Sequence, residues 1–138
     1  MRFPWQPDAN DSEGGDSEGG DPEGASTFIR LEDGDAVDAF LAQREPEPSV
    51  LLIHDPWCPI SGRAFGEAAK AGTTIHLVLT GDGQHLSARI AAATGIRHES
   101  PQVFVLAGGQ VTWHASHFRI SRGAILDGLT AARGAAAL

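Results

Sequence analysis

Residues Val50 to Ile53 form a continuous apolar run of strand length. Successive side chains of a strand point to opposite faces, so such a run is buried on both faces only at the centre of a covered sheet. This requirement constrains the fold most, because helical segments must then supply a covering layer on each side. The 138 residues, 41% of them hydrophobic, are enough for one such core.

Strand-like and helical patterns alternate around this central run. Further strands are predicted at residues 28–31, 74–79, 103–106 and 111–115. Helical patterns with caps or breakers are predicted at residues 33–41, 59–68, 86–93 and 121–129. The order is therefore β-α-β-α-β-α-β-β-α, in which helical crossovers give parallel pairs and the hairpin at Gly108-Gly109 closes an antiparallel pair. We predict an α/β, thioredoxin-like three-layer fold with a central mixed sheet and helices on both faces.

The apolar stripes of these helices predict which residues face the core. They are Ile60, Ala64, Phe65 and Ala68 in the second helix and Leu86, Ile90 and Ala93 in the third. Asp33 or Asp35 can cap the first helix. Ser121 is a good N-cap for the last, where Ile120 can pack on Ile125.

The first 25 residues differ in composition from the rest of the chain. They hold seven acidic residues and one arginine, a charge of −6 within the total of −8. Residues 11–24 consist of two Asp-Ser-Glu-Gly-Gly units followed by Asp-Pro-Glu-Gly, with no large apolar side chain to bury. We therefore predict a disordered, acidic, Gly-rich tail over residues 1–25 and one thioredoxin-like domain over residues 26–138.

Charge and hydropathy also limit the expected partners and location. The chain has no basic patch for nucleic acid and no apolar stretch of about 20 residues for a membrane span. Its N-terminal residues have no apolar signal region. A cytoplasmic location is therefore expected, and a single cysteine fits a reducing compartment.

That single cysteine lies in the motif Cys58-Pro59-Ile60-Ser61, directly after the central strand and at the start of the next helix. Pro59 suits the first helical turn, where its missing N–H costs nothing. The helix N-terminus favours the thiolate, which is the nucleophile in disulfide exchange. A buried, inert cysteine is the alternative, but a strand-to-helix loop is a surface position. We therefore predict a reactive Cys58.

Two further positions complete the predicted site. Ser61 occupies the place of the second cysteine in a Cys-x-x-Cys motif, so a mixed disulfide on Cys58 must pass to an external thiol. Ser100-Pro101-Gln102 precedes a core strand, where a thioredoxin-like fold places a cis-proline loop facing the cysteine. This loop is predicted to bind substrate by offering the Ser100 backbone to an incoming chain.

Three segments in the same order carry a resemblance to a known family. They are Cys58-Pro59-Ile60-Ser61, Arg97-His98-Glu99-Ser100-Pro101-Gln102-Val103 and Trp113-His114-Ala115-Ser116-His117. Together they resemble the monothiol bacilliredoxin-type (YtxJ-like) thioredoxin-fold family of the bacillithiol system, over about residues 28–129. Trp57 differs from that family pattern and is similar to the tryptophan before the first cysteine of ordinary thioredoxins.

The resemblance implies that Cys58 removes bacillithiol from modified protein cysteines, with Pro101 in cis beside it and Ser61 in place of a resolving thiol. It implies no permanently bound cofactor, with bacillithiol or another small thiol as co-substrate and bacillithiolated or oxidised proteins as partners. His54 matches a histidine at the end of the family's central strand. It either tunes the thiolate or ends the strand with a polar contact.

Other readings remain open at this point. His114 and His117 have metal-ligand spacing, but hydrogen-bonded or solvent-facing roles are favoured over a metal site. The protein could be a thioredoxin-like binding adaptor in which Cys58 is incidental. It could also be a monothiol iron–sulfur carrier, since such proteins can share a cluster across a dimer.

Overall fold

The structure is a computed structural model that describes residues 25–81 and 85–136. The predicted tail lies outside these ranges except for its last residue. The elements are β1 (Thr27–Arg30), α1 (Gly34–Leu41), β2 (Ser49–His54), α2 (Pro59–Ala69), β3 (Thr74–Leu79), α3 (Leu86–Thr94), β4 (Gln102–Ala107), β5 (Gln110–Ser116), a short 3-10 helix (His117–Arg119) and α4 (Arg122–Ala136). The predicted order is confirmed. The 3-10 helix is additional, because three residues carry no periodicity that a sequence pattern can reveal.

The five strands form one mixed sheet in the order β1-β3-β2-β4-β5. Strand β2 lies parallel to β3 and antiparallel to β4, and β4 and β5 form the closing antiparallel hairpin. The predicted three-layer α/β fold is thus confirmed.

The central strand β2 divides the core into two layers. Val50 and Leu52 pack with α2 and α4 on one face, whereas Leu51 and Ile53 pack with α1 and α3 on the other. All four side chains are fully buried. The alternation of β2 therefore anchors both helical layers to one strand.

Side-chain caps fix where two helices begin. The Asp33 carboxylate accepts a hydrogen bond from the Ala36 N–H at 2.9 Å, and the Ser121 hydroxyl accepts one from the Ala124 N–H at 3.0 Å. Ile120 and Ile125 are fully buried in the same cluster on either side of the Ser121 cap.

Two members of the predicted apolar stripes lie outside the fully buried core. Ile60 is only half-buried, and its neighbour Ser61 is fully buried instead, because the polar end of β2 lies beneath that turn. Ala93 is exposed near the end of α3, where it lines a surface cavity with Leu41 and Arg44. No helix in the described ranges is long and apolar enough to cross a membrane.

The Ser121 cap yields a prediction about stability. Ser121→Ala removes the acceptor for the Ala124 N–H, so we expect the free energy of unfolding to fall by about 1 kcal/mol. Ser121→Asn, which restores a capping oxygen, should remain close to the parent protein. Urea unfolding measures both, and an unchanged midpoint for Ser121→Ala would show that the cap contributes nothing.

Candidate active site

The register of three strands brings the predicted site segments to one edge of the sheet. Ile53 near the end of β2 pairs with Gln102 at the start of β4, and Gln102 pairs with Ser116 at the end of β5. The loop before Cys58, the loop before Gln102 and the 3-10 helix after Ser116 therefore leave the sheet at the same edge. The His117 N–H also donates to the Pro101 carbonyl at 3.1 Å, which joins the second and third of these segments.

Cys58 is the N-cap residue of α2. Its backbone is extended, Pro59 follows in the first turn, and the Gly62 N–H donates to the Cys58 carbonyl at 2.9 Å. Cys58 as a residue is half-buried, its cysteine is free, and its side chain makes no capping hydrogen bond. The sulfur thus lies at the positive end of the helix dipole without hydrogen-bonding to the helix backbone.

Ser61, one turn into α2, is tied to the end of the central strand. Its hydroxyl oxygen lies 2.7 Å from His54 Nδ1 and accepts from the Asp55 N–H at 2.8 Å. When the hydroxyl donates to Nδ1, it acts as a donor to His54 and as an acceptor for Asp55 at the same time. His54 and Ser61 are both fully buried, and the imidazole packs on Phe65 with ring centroids 5.1 Å apart.

Burial makes His54 a neutral residue. Desolvation lowers the pKa of His54 from 6.5 to about 4, although the charge of Asp55 and the hydrogen bond with Ser61 act in the opposite direction. A neutral imidazole brings no full positive charge to a thiolate. Of the two roles considered for His54, the geometry favours the polar contact that ends the strand.

The sequence pattern did not reveal the pairing of His54 with Ser61. A signal was present, since His54 ends an otherwise apolar buried strand and so needs a polar partner. Which residue supplies that partner depends on how α2 crosses the strand.

Two aromatic side chains are exposed in the segments that meet at this edge. The Trp57 side chain is 77% exposed, and the main-chain N–H of Trp57 donates to the Asp55 carboxylate at 3.0 Å. Phe118, in the 3-10 helix, is 64% exposed, with the Arg63 guanidinium 5.8 Å from the centre of its ring. Sequence reasoning singled out Trp57 but missed Phe118.

The predicted substrate loop has a cis peptide bond between Ser100 and Pro101. Within the described ranges no hydrogen bond engages Ser100: its main-chain N–H and C=O have no partner there, and its hydroxyl is buried without one. Gln102 belongs to the predicted substrate-binding segment, but its own side chain is buried and its amide group bonds the loop's own backbone.

The two histidines with metal-ligand spacing lie in different surroundings. His114 is exposed and its ring lies 6.3 Å from that of Phe104, whereas His117 Nε2 lies 3.7 Å from a Glu99 carboxylate oxygen. Among residues 25–81 and 85–136, no three histidine, cysteine, aspartate or glutamate side chains are grouped so that they could hold a metal ion.

Comparison with known proteins decides the family. Residues 29–125 match the sequence model of the family described as monothiol bacilliredoxin BrxC. The chain belongs to this monothiol bacilliredoxin family. The family resemblance carried by the three sequence motifs is therefore confirmed, and it supports a thiol–disulfide oxidoreductase-like role for this bacilliredoxin.

Solved structures agree on the fold of this bacilliredoxin. One is a provisionally assigned oxidoreductase with a thioredoxin fold, 25% identical, with a TM-score of 0.67 over 74% of this chain and 93% of that one. Oxidised thioredoxin O2 from Arabidopsis thaliana is 13% identical, with a TM-score of 0.60 over 76% and 93% of the two chains. Spinach chloroplast thioredoxin F is 21% identical, with a TM-score of 0.55 over 80% and 88%.

The lowered pKa of His54 predicts how stability changes with pH. Between about pH 6.5 and pH 4, unfolded His54 binds a proton that the folded residue does not. The free energy of unfolding should therefore fall as the pH is lowered through this window, by up to about 3 kcal/mol, and this contribution should level off below it. His76, whose pKa is also lowered by burial, acts in the same direction.

Urea unfolding at about pH 7.5 and about pH 4.5 measures this effect. His54→Asn keeps a polar group toward Ser61 but does not titrate, so its loss of stability at low pH should be smaller than that of the parent by about 2 kcal/mol. His114→Asn is the matched control, because His114 is exposed. Equal losses in His54→Asn and the parent would contradict the assignment of a neutral, buried His54.

Proposed function

We propose that this bacilliredoxin is a monothiol thiol–disulfide oxidoreductase that removes bacillithiol, or a similar low-molecular-weight thiol, from mixed disulfides on proteins. One observation carries the proposal: its only cysteine, Cys58, is half-buried and free at the start of α2, and a buried hydroxyl lies at residue 61. This arrangement supports nucleophilic attack by Cys58 but supplies no second sulfur.

The reaction has two exchange steps. The Cys58 thiolate attacks the small-thiol sulfur of the mixed disulfide, a new disulfide forms on Cys58, and the substrate cysteine leaves as a thiolate. An external thiol then attacks the small-thiol sulfur of the Cys58 adduct, leaves with it as a small disulfide, and returns Cys58 as the thiolate. Each step forms one sulfur–sulfur bond and breaks one, so the incoming thiol supplies the electrons for the net reduction.

The surroundings of Ser61 support a long-lived adduct. Ser61 has no thiol with which to attack Cys58, and its hydroxyl is engaged by His54 and the Asp55 N–H. The adduct therefore remains until an external thiol arrives.

The Ser100 segment supports a protein as the substrate. The Ser100 N–H and C=O have no hydrogen-bond partner in the described part of the chain, so they are available to an extended incoming segment. Such pairing is a short form of strand addition, which aligns a substrate through main-chain groups whatever its side chains are.

The proposal predicts an adduct on Cys58 that intact mass spectrometry detects. After exposure to oxidised bacillithiol, the parent protein should gain the mass of one bacillithiol, and exposure to oxidised glutathione shows whether the small thiol is discriminated. Cys58→Ser should gain no mass and should stay folded, because serine is a good N-cap. A small-thiol adduct on Cys58→Ser, or no adduct on the parent with either reagent, would contradict the proposal.

Ser61→Cys should shift the protein toward dithiol chemistry. The new sulfur lies one helical turn from Cys58, so it should displace the small thiol as an internal disulfide closes, with no external thiol added. Ser61→Ala is the matched control, because it loses the same hydroxyl contacts but gains no thiol. Both variants should be less stable by about 1–3 kcal/mol, since His54 and the Asp55 N–H lose a partner.

Adduct release is followed by intact mass in both Ser61 variants. Release of the small thiol from Ser61→Cys, but not from Ser61→Ala, fits the proposal. An adduct equally persistent in Ser61→Cys and Ser61→Ala would show that residue 61 does not occupy the resolving position.

A further inference from the structure

Gln102 is a polar residue at a core position. It is 2% exposed at the start of β4, and the four residues that follow it are apolar and buried. Its strand partners are Ile53 on one side and Ser116 on the other. Burial of an amide group is unfavourable unless its hydrogen-bonding groups are satisfied, so the contacts of this side chain matter.

Both ends of the Gln102 amide bond to the preceding loop. Its Nε2 donates to the Arg97 carbonyl at 3.0 Å, and its Oε1 accepts from the Glu99 N–H at 3.2 Å. Beyond Ser100, the Pro101 carbonyl accepts from the His117 N–H at 3.1 Å. The loop is therefore held on both sides of Ser100, whereas Ser100 itself makes no hydrogen bond in the described ranges.

We infer that Gln102 is a positioning residue for protein substrates: its amide holds the loop so that the main chain of Ser100 stays open to the incoming segment. The inference rests on the proposed function, because it specifies how that site binds an extended protein segment and not only a small disulfide. A loop fixed before binding loses less conformational entropy when the substrate pairs with it.

This role predicts that two substrates with the same reactive disulfide bond react with Cys58 at different rates. The first is the mixed disulfide of bacillithiol with N-acetylcysteine amide, which has no flanking chain. The second is the same disulfide within an extended nine-residue peptide. Cys58 attacks the same sulfur in both, so the ratio of the two rates reports on chain binding and not on the thiolate.

With the parent protein, the peptide disulfide should react faster than the disulfide of N-acetylcysteine amide. Gln102→Met, which keeps the approximate volume but removes both hydrogen bonds, should slow the peptide reaction about tenfold, the equivalent of one to two net hydrogen bonds. The reaction of the capped cysteine should be slowed much less, because this substrate has no flanking chain to pair with Ser100. Stopped-flow measurement of thiol release gives both rates.

Val105→Ala is the matched control for general destabilisation. Val105 lies in the same strand and is fully buried, but it is away from the loop. A loss of stability alone should leave the ratio of the two rates as in the parent.

Gln102→Glu gives a second test with a distinctive pH profile. Burial raises the pKa of a carboxyl group, and the protonated acid can donate to the Arg97 carbonyl and accept from the Glu99 N–H as glutamine does. Lowering the pH should therefore restore the preference for the peptide in Gln102→Glu but not in Gln102→Met. The parent is the reference over the same range, because the ionisable side chains of Glu99 and His117 lie near the loop.

The outcomes separate the two proposals. If the parent reacts with neither substrate, the proposed function fails. If it reacts with both, but shows no preference for the peptide or keeps that preference in Gln102→Met, the positioning role of Gln102 is overturned and the chemistry of Cys58 stands.

Discussion

Burial of β2 on both faces is the constraint on which the remaining structure depends. Its alternating side chains anchor α2 and α4 on one face and α1 and α3 on the other. The chain leaves this strand at His54 and must turn directly into α2, so the N-cap position at residue 58 lies close to the end of the most buried strand. The position of Cys58 at the start of α2 is therefore a consequence of how the core is built.

The same strand explains why a serine suits position 61. Burial reaches the last residue of β2, and His54 needs a hydrogen-bond partner inside the core. The Ser61 hydroxyl is that partner. It also accepts a hydrogen bond from the Asp55 N–H, which stabilises the turn between strand and helix. A thiol is a weaker hydrogen-bonding group than a hydroxyl, so a resolving cysteine here would weaken the hydrogen bonds that stabilise this turn. Monothiol chemistry and the packing of this turn therefore favour the same residue.

Much of the fold was predictable from the sequence because local patterns determine it. The apolar run at Val50 and the Ser121 cap each specify an element without reference to distant residues. The inward positions of Ser61 and Gln102 were not predictable in this way. Their partners are fixed by a helix crossing and a loop path, and apolar periodicity carries no information about either. Its position in the motif predicted that Cys58 lies at the start of a helix, as the structure shows, whereas the exposure of Phe118 became visible only with the 3-10 helix.

The central claim is that the adduct on Cys58 waits for an external thiol, and its lifetime tests this most directly. The bacillithiol adduct is isolated, freed of small thiols and followed by intact mass, first alone and then with increasing bacillithiol. The account predicts that the adduct persists alone and that its rate of loss rises in proportion to the added thiol. Loss of bacillithiol from the isolated adduct, at a rate independent of added thiol, would contradict it.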